Sequence, residues 1–359
     1  MNTDVLIVGG GLAGLSLADQ LERSGRDYLL VEARHRLGGR ILSLPAQSAD
    51  DESIRYDLGP TWFWPGQPKM ARLVNELNLD IFEQYSDGKL VFQDRNGAVQ
   101  SDLEHSTTAG SLRISGGIEQ LIDKLSERIP TRRLRVSSRL TKLLLADDWI
   151  DANVQLADQS TMIRAKKVVL ALPPRLVAQA IDFAPELARE SMHAMRAIPT
   201  WMAGHAKVVA IYHRPFWRDA GLSGDGISHR GPLAEIHDAG DACDVHGALF
   251  GFVGVPASIR RNDDFHLAEL ALDQLATMFG PSAAKPIDLL VQDWADEAFT
   301  ATEEDCVQQI QGHPAYGTPP ALNDLWRGSL LLGSSEMAPG FGGYLEGALE
   351  AAELIAEKI

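Results

Sequence analysis

The sequence predicts an α/β protein built on a parallel sheet with covering helices, and three observations carry that expectation. "VLIV" at residues 5–8 is a short continuous apolar run ending in glycine, the pattern of a strand buried on both faces. "GGGLAG" follows with Gly9, Gly11 and Gly14 in GxGxxG spacing, after which Leu17, Ala18 and Leu21 recur at helical intervals until Gly25. "DYLLVEA" then supplies a second strand with Glu32 at its end, closing a strand–helix–strand unit.

The bulk properties narrow the class. At 359 residues, with 45% hydrophobic and 23% charged content, the chain is long enough for two globular domains. Its net charge of −16 disfavours a nucleic-acid partner, and the local basic run "TRRLR", with Arg139 and Lys142 beyond it, reads as a solvated edge. The two cysteines, Cys243 and Cys306, form no CxxC pair, so neither a disulfide framework nor a thiolate zinc site is expected, and a reducing, cytoplasmic location fits. The N-terminus reads as a strand and not as a signal peptide, and no stretch approaches the length of a membrane span. The ten histidines show no HExxH spacing and no GxSxG elbow appears, which speaks against metal and serine hydrolysis and leaves no metal site to assign.

The glycines at 9, 11 and 14 permit a tight turn and close approach of backbone to a diphosphate at the positive end of the following helix. Glu32 stands about 20 residues past them, where a carboxylate accepts hydrogen bonds from a ribose diol. "EARHRLGGRI" continues into a further glycine turn at Gly38 and Gly39, flanked by Arg34 and Arg40, which can neutralise a diphosphate. At these residues the sequence resembles the flavin amine oxidase family of monoamine, polyamine and L-amino-acid oxidases, whose FAD-binding strand ends in Glu-Ala before an Arg-x-Gly-Gly-Arg run; here it reads "VEARHRLGGR". The same pattern occurs in protoporphyrinogen oxidases and phytoene desaturases. The resemblance implies a Rossmann-like FAD-binding domain interleaved with an α+β substrate domain containing a mixed or antiparallel sheet. It makes Gly9, Gly11, Leu12, Ala13, Gly14, Glu32, Ala33, Arg34, Gly38, Gly39 and Arg40 cofactor contacts.

Later motifs follow in family order. "YDLGPTWFWPG" (56–66) resembles the segment that passes the isoalloxazine ring, implying cofactor contacts at Gly59, Pro60, Thr61 and Trp62; Trp62 and Trp64 either line the substrate cavity or fill core. "RISGGIEQLIDKL" (113–125) and "KKVVLALPPRL" (166–176) resemble the return to the FAD domain, with Leu140, Ala171 and Trp294 as further contacts. In "HAKVVAIYHRPFW" (205–217), alternation places Lys207, Val209 and Ile211 on one strand face, where a lysine stem can simply pack while its amine reaches outward. The resemblance instead gives Lys207 the role of the lysine that reaches flavin N5 through a water. In "LLLGSSEMAPGFGGYLEGALEAAELI", a strand at Leu330–Leu332 enters a glycine turn and then a helix. Leu345, Ala348, Leu349, Ala352 and Ile355 face inward on that helix, and Glu346, Glu350, Glu353 and Glu357 outward. Similarity to the family's C-terminal signature puts Ser335, Glu336, Gly343, Leu345 and Ala348 against the FAD, Tyr344 over its substrate face and Phe341 near the substrate.

Two departures from the family shape the expectation. Counting from Trp294 in "QDWADEAFTATEEDC", the cysteine that holds flavin covalently and the aromatic after it fall near Glu303 and Glu304, with Cys306 displaced. Non-covalent FAD is therefore expected, with Tyr316 as a candidate for the second aromatic. Only about fifty residues separate "DLGP" from "RISGG", too few for the helical substrate subdomain of larger members, so a smaller or more open cavity is expected. The resemblance divides the chain into a cofactor domain of 1–66, 108–178 and 318–359 and a substrate domain of 67–107 and 179–317. The function so implied is oxidation of a small-molecule amine with oxygen as electron acceptor, with an oligomer left open; a desaturase or a flavoprotein scaffold is the alternative.

Overall fold

The strand Asn2–Val8 lies inside the first sheet, hydrogen-bonded in parallel to Tyr28–Val31 on one side and to Gln159–Leu170 on the other. Leu330–Leu332 and Leu134–Arg135 extend this parallel set. The structure is a computed structural model, and it describes residues 1–46, 54–156, 159–243, 245–307 and 312–359. The apolar runs are continuous because both faces are covered. Val5, Ile7, Tyr28 and Leu30 point into a core shared with helices Leu12–Arg23, Gln120–Glu127 and Leu345–Ala356. Leu6, Val8, Leu29 and Val31 point the other way, into a core with the antiparallel strands Ser138–Ala146 and Trp149–Leu156 and the helices Pro174–Ala180 and Arg189–Ala197. Each such side chain, removed from water, stabilises the fold by about 1.5–3 kcal/mol.

A second sheet of mixed pairing has Ala206–Tyr212 between Gly247–Val253 and Asp288–Asp293, and continues through Leu233–Asp238 and Leu222–Ser228 to Lys89–Gln93 and Val99–Leu103. Ala206, Val208, Ala210 and Tyr212 pack on the core that includes helix Leu267–Phe279. Val209 and Ile211 face the opposite side, against Tyr56, Leu58 and Trp294. Lys207 shares their parity, so its side chain is turned toward the loops of the first sheet. The architecture is thus α/β, a Rossmann-like parallel sheet joined to a mixed sheet. Among the described residues no helix is long and apolar enough to cross a membrane.

The C-terminal helix corrects one expectation. Glu346 is buried rather than outward: its Oε1 and Oε2 accept hydrogen bonds from the Lys69 and Met70 amides at 3.0 and 2.7 Å. Helix Pro68–Glu76 starts without a side-chain cap of its own, and Glu346 supplies it from a distance.

Candidate active site

The carboxyl ends of the parallel strands open into one cavity of about 610 Å³, bordered by Gly9, Glu32, Ala171 and Ser334, one from the end of each of four strands. This is where open parallel sheets place ligands. Gly9 takes φ +111°, and a Cβ there would stand 2.6 Å from the Ala171 carbonyl. A Cβ on Gly14 would stand 1.9 Å from the Gly9 carbonyl, so Gly14 seats the helix on the turn and lies off the cavity lining. Gly11 begins the helix with no side-chain cap, and the helix amides open onto the cavity that Gly11, Leu12 and Ala13 line. Glu32 is fixed beside this turn, its Oε2 accepting from the Gly10 amide at 2.7 Å and its Oε1 from the Arg34 amide at 2.8 Å.

The second glycine turn lies against the first, with the Gly38 amide donating to the Gly10 carbonyl at 2.8 Å. Arg36 holds it by donating to the carbonyls of Leu37, Gly39 and Ile41. The flanking arginines line the cavity but are already paired. Arg34 meets Glu297 at 2.9 Å and donates to Thr300 Oγ1 at 2.7 Å; Arg40 meets Glu336 at 2.7 Å and donates to Ser335 Oγ at 3.1 Å. Glu336 is fully buried behind Arg40, outside the lining.

A second wall comes from the loop at Gly59, Pro60, Thr61 and Trp62 and from the strand bearing Lys207. Gly59 runs so close to Arg40 that a Cβ would stand 2.1 Å from its carbonyl. Trp294 braces the loop, its Nε1 donating to the Leu58 carbonyl at 2.9 Å. Lys207 is 2% exposed, donates to Thr61 Oγ1 at 2.5 Å and to the Gly59 carbonyl at 3.2 Å, and lies 3.9 Å from the centre of the Phe250 ring. Burial pushes its amine down to about 7, with Asp57 acting against the shift and Arg113 with it. Trp62 borders the cavity and also packs edge-on to His237 at 5.0 Å, so it both lines and fills.

The third wall is the start of helix Leu345–Ala356, capped by no side chain, with Gly343 at φ +81° just before it. Gly343, Tyr344, Leu345 and Ala348 line the cavity, as do Leu140 and Trp64. Tyr344 is 37% exposed and stacks on His313, centroids 4.5 Å apart and planes 8° apart, while His313 also meets Trp201 at 4.9 Å. Phe341 and Tyr316 lie off the lining: Tyr316 packs under Gly342 and Gly343 and donates its hydroxyl to the Pro199 carbonyl at 2.8 Å. Trp201, Glu235 and Phe252 line the cavity with no motif to announce them, and His205, at the start of the Lys207 strand segment, lines it too. Neither Cys243 nor Cys306 is on it.

The residues present fit the FAD that the resemblance implies. Two uncapped helix starts border the cavity, the glycine turns at Gly9, Gly11, Gly38 and Gly39 leave their part of the lining without Cβ atoms, a carboxylate stands at the second strand's end, and Ser334 Oγ is buried with no hydrogen-bond partner among the described residues.

Comparison with known proteins agrees with this geometry. Residues 94–359 match the family described as flavin containing amine oxidoreductase, and residues 7–77 match an NAD(P)-binding Rossmann-like domain. The putrescine oxidase of Kocuria rosea is 24% identical, the match covering 99% of this chain and 95% of that protein. It spans 473 aligned positions against 359 residues here, so the relative carries segments this chain lacks. The L-amino acid dehydrogenase of Synechocystis sp. is 21% identical over 99% of this chain and 94% of its own. The structure of cyclohexylamine oxidase from Brevibacterium oxydans superposes with a TM-score of 0.81 at 20% identity, covering 99% of both chains.

Proposed function

The chain belongs to the family of flavin-containing amine oxidoreductases, and from that premise we propose that it oxidises a small-molecule amine at the α-carbon with a non-covalently held FAD. In this reading 1–66, 108–178 and 318–359 form the cofactor part of the chain and 67–107 and 179–317 the substrate part. The observation that carries it is Lys207, a lysine 2% exposed whose amine, held by Thr61 and Gly59, sits at the wall of the same cavity that Tyr344 borders.

When bound, FAD would supply two-electron oxidation of the amine to an imine, which water would hydrolyse to a carbonyl compound with release of the nitrogen, and would pass the electrons to oxygen as hydrogen peroxide. The chain's own residues bind and orient. Gly9 to Ala13 and the helix start behind them would hold the diphosphate, and Glu32 the ribose hydroxyls. Arg34 and Arg40, each tied to a carboxylate, would stand beside it on the cavity wall, and Arg36 holds the second glycine turn. The start of helix Leu345–Ala356 would offer a bound flavin its uncapped amides and positive dipole end, which favour negative charge. Tyr344 presents its ring to the substrate. Lys207, with its amine at about 7, holds or releases a proton near neutral pH. The amine enters neutral, and no general base is assigned.

The test is the visible flavin spectrum of the purified holoenzyme, held anaerobic, as primary amines, diamines and amino acids are added in turn. Bleaching by one amine class, reversed when air is admitted, is the expected result. Flavin colour that no amine bleaches overturns the reading in favour of a desaturase or a scaffold, and colour that returns only with another acceptor overturns the oxygen step.

A further inference from the structure

Beside the cavity lies a second, smaller hollow of about 240 Å³, and Trp64 lines both. Helix Pro68–Glu76 turns Ala71, Val74 and Asn75 toward it at i, i+3 and i+4 spacing. That helix ends in a left-handed turn at Asn78, φ +50°, where the Asn78 amide donates to the Asn75 carbonyl at 3.1 Å and the Leu79 amide to the Val74 carbonyl at 3.0 Å. The turn hands the chain to the strand Ile81–Glu83, which pairs antiparallel with Leu112–Ile114. Leu112 also exchanges backbone hydrogen bonds with Phe63, at 2.8 and 3.0 Å, which ties the strand pair to the loop bearing Trp64. Phe63, Leu79, Ile81 and Leu112 complete a lining that holds no charged side chain among the described residues.

Single exposed apolar side chains are ordinary, but here Ile81, 46% exposed, and Trp64, 37% exposed, border one apolar indentation. At about 240 Å³ it is smaller than the roughly 300–1,000 Å³ of a site for a whole ligand, and it suits part of one. Its position says which part. Lys207 Nζ lies 3.9 Å from the centre of the Phe250 ring, Phe250 lies 5.2 Å from Trp62, and Trp62 lies 6.5 Å from Trp64, so the hollow begins three ring contacts from the lysine. Glu346 fastens helix Pro68–Glu76 to the helix that starts at Tyr344, so the hollow adjoins the Tyr344 end of the cavity. The Trp64 backbone is held, its carbonyl accepting from the Gln67 amide at 2.9 Å and its amide donating to Gln67 Oε1 at 3.2 Å, with Gln67 itself buried on the cavity lining. The indole thus stands as a partition between cavity and hollow.

We propose that this hollow is a distal subsite for the apolar tail of an amine whose nitrogen end lies in the cavity, and that the tail passes Trp64 to reach it. The substrate class is an amine with an uncharged alkyl or aryl-alkyl tail long enough to cross that partition. The inference deepens the amine-oxidation reading and rests on it.

The experiment compares octylamine with butylamine on anaerobic holoenzyme, taking the apparent Kd of each from the concentration dependence of flavin bleaching, alongside the thermal shift each produces. Each methylene taken out of water gains about three- to fourfold in affinity, so the wild type is expected to hold octylamine about tenfold or more tighter than butylamine. Ala71→Phe fills the hollow from an exposed helix position, and Ile81→Asp puts a charge on its lining. A ratio that falls in either variant while butylamine keeps its wild-type Kd supports the subsite. A ratio near one in the wild type, a ratio unmoved in both variants, or equal weakening of the two amines overturns it. If neither amine bleaches the flavin, the amine-oxidation reading itself falls and the thermal shift decides: stabilisation by octylamine that vanishes in Ala71→Phe supports an alkyl site in the hollow, and no such stabilisation overturns it.

Discussion

Lys207 Nζ donates to Thr61 Oγ1 at 2.5 Å, tying the second sheet to the loop that borders the cofactor cavity. The only other hydrogen bond of that amine among the described residues is to the Gly59 carbonyl at 3.2 Å. Replacing Thr61 with valine keeps the shape and removes the nearer acceptor. A hydrogen bond to a charged group contributes about 1.5–3 kcal/mol, and Thr61→Val is expected to lose that much where Lys207 is protonated. Denaturant unfolding at about pH 6 and about pH 9 checks it, since the loss should shrink as the amine titrates. Equal losses at both values would show that the hydroxyl serves packing alone.

The same lysine gives stability a pH dependence of known sign. Its amine titrates at about 7 in the folded protein, against 10.5 in its ordinary state. Below about 7 both folded and unfolded chains hold the proton, and the full cost of burying the charge is present. Between there and 10.5 the unfolded chain holds more protons than the folded one, so stability rises with pH. Lys207→Met removes the group and should remove that rise, leaving the variant's advantage over wild type largest below pH 7 and declining above it. Parallel stability profiles for the two proteins would contradict the placement of a titrating amine in this site.

What the sequence made legible is what local rules determine. Gly9, Gly11 and Gly14 could be read because a turn over a diphosphate needs glycine at that spacing, and the parallel strands because burial on both faces leaves an unbroken apolar run. Lys207 could be placed on its face by alternation alone. Glu346 could not, because its environment is the uncapped start of Pro68–Glu76, almost 280 residues earlier in the chain. Glu235 was equally hidden: it reaches the cavity through a bulge, and a bulge depends on the register of a partner strand. Arg34 read as a cation able to neutralise a diphosphate, yet Glu297 answers its charge from a segment that no local pattern connects to it.

Gly11 and Gly14 should separate cofactor binding from folding. A Cβ on Gly11 would have only the Gly38 carbonyl at 3.7 Å and the Gly39 Cα at 3.9 Å within reach, and its φ of −78° suits any residue. Gly11→Ala is expected to fold with a loss of under about 1 kcal/mol and to purify with little or no flavin, since the methyl occupies the approach to the diphosphate. Gly14→Ala drives its methyl to within 1.9 Å of the Gly9 carbonyl, a backbone atom that cannot step aside. That variant should lose on the order of 3 kcal/mol or more. Circular dichroism melts with flavin content measured on the same samples decide the matter, and a flavin-replete Gly11→Ala would refute the assignment of that turn.

Glu346→Ala strips two amides of helix Pro68–Glu76 of their acceptor. Loss of a cap typically costs about 0.5–2 kcal/mol, and burial of the unpaired amides puts this case at the upper end. A lowered unfolding midpoint with an unaltered flavin spectrum is expected, because Glu346 lies off the cavity lining. A displaced flavin absorbance at full occupancy would mean that the cap also sets the position of the helix start at Tyr344.

The cysteines predict how the cofactor leaves. Cys243 is exposed and off the cavity, and Cys306 sits in the short helix Glu303–Val307 with its Sγ 3.7 Å from the Ala295 carbonyl and 3.6 Å from Arg261. Burial pushes the Cys306 thiol up, away from the thiolate that a covalent link would need. Positions 303 and 304, where the family's cysteine and aromatic were expected, are exposed glutamates on that helix. Acid or guanidinium denaturation should therefore release the yellow colour through a dialysis membrane, identically in the wild type and in the Cys243→Ser, Cys306→Ser double variant. Colour that stays with the precipitated wild type and leaves the double variant would place one of these sulfurs on the flavin and require the segment around Glu303 to pack against the cavity in the holoenzyme.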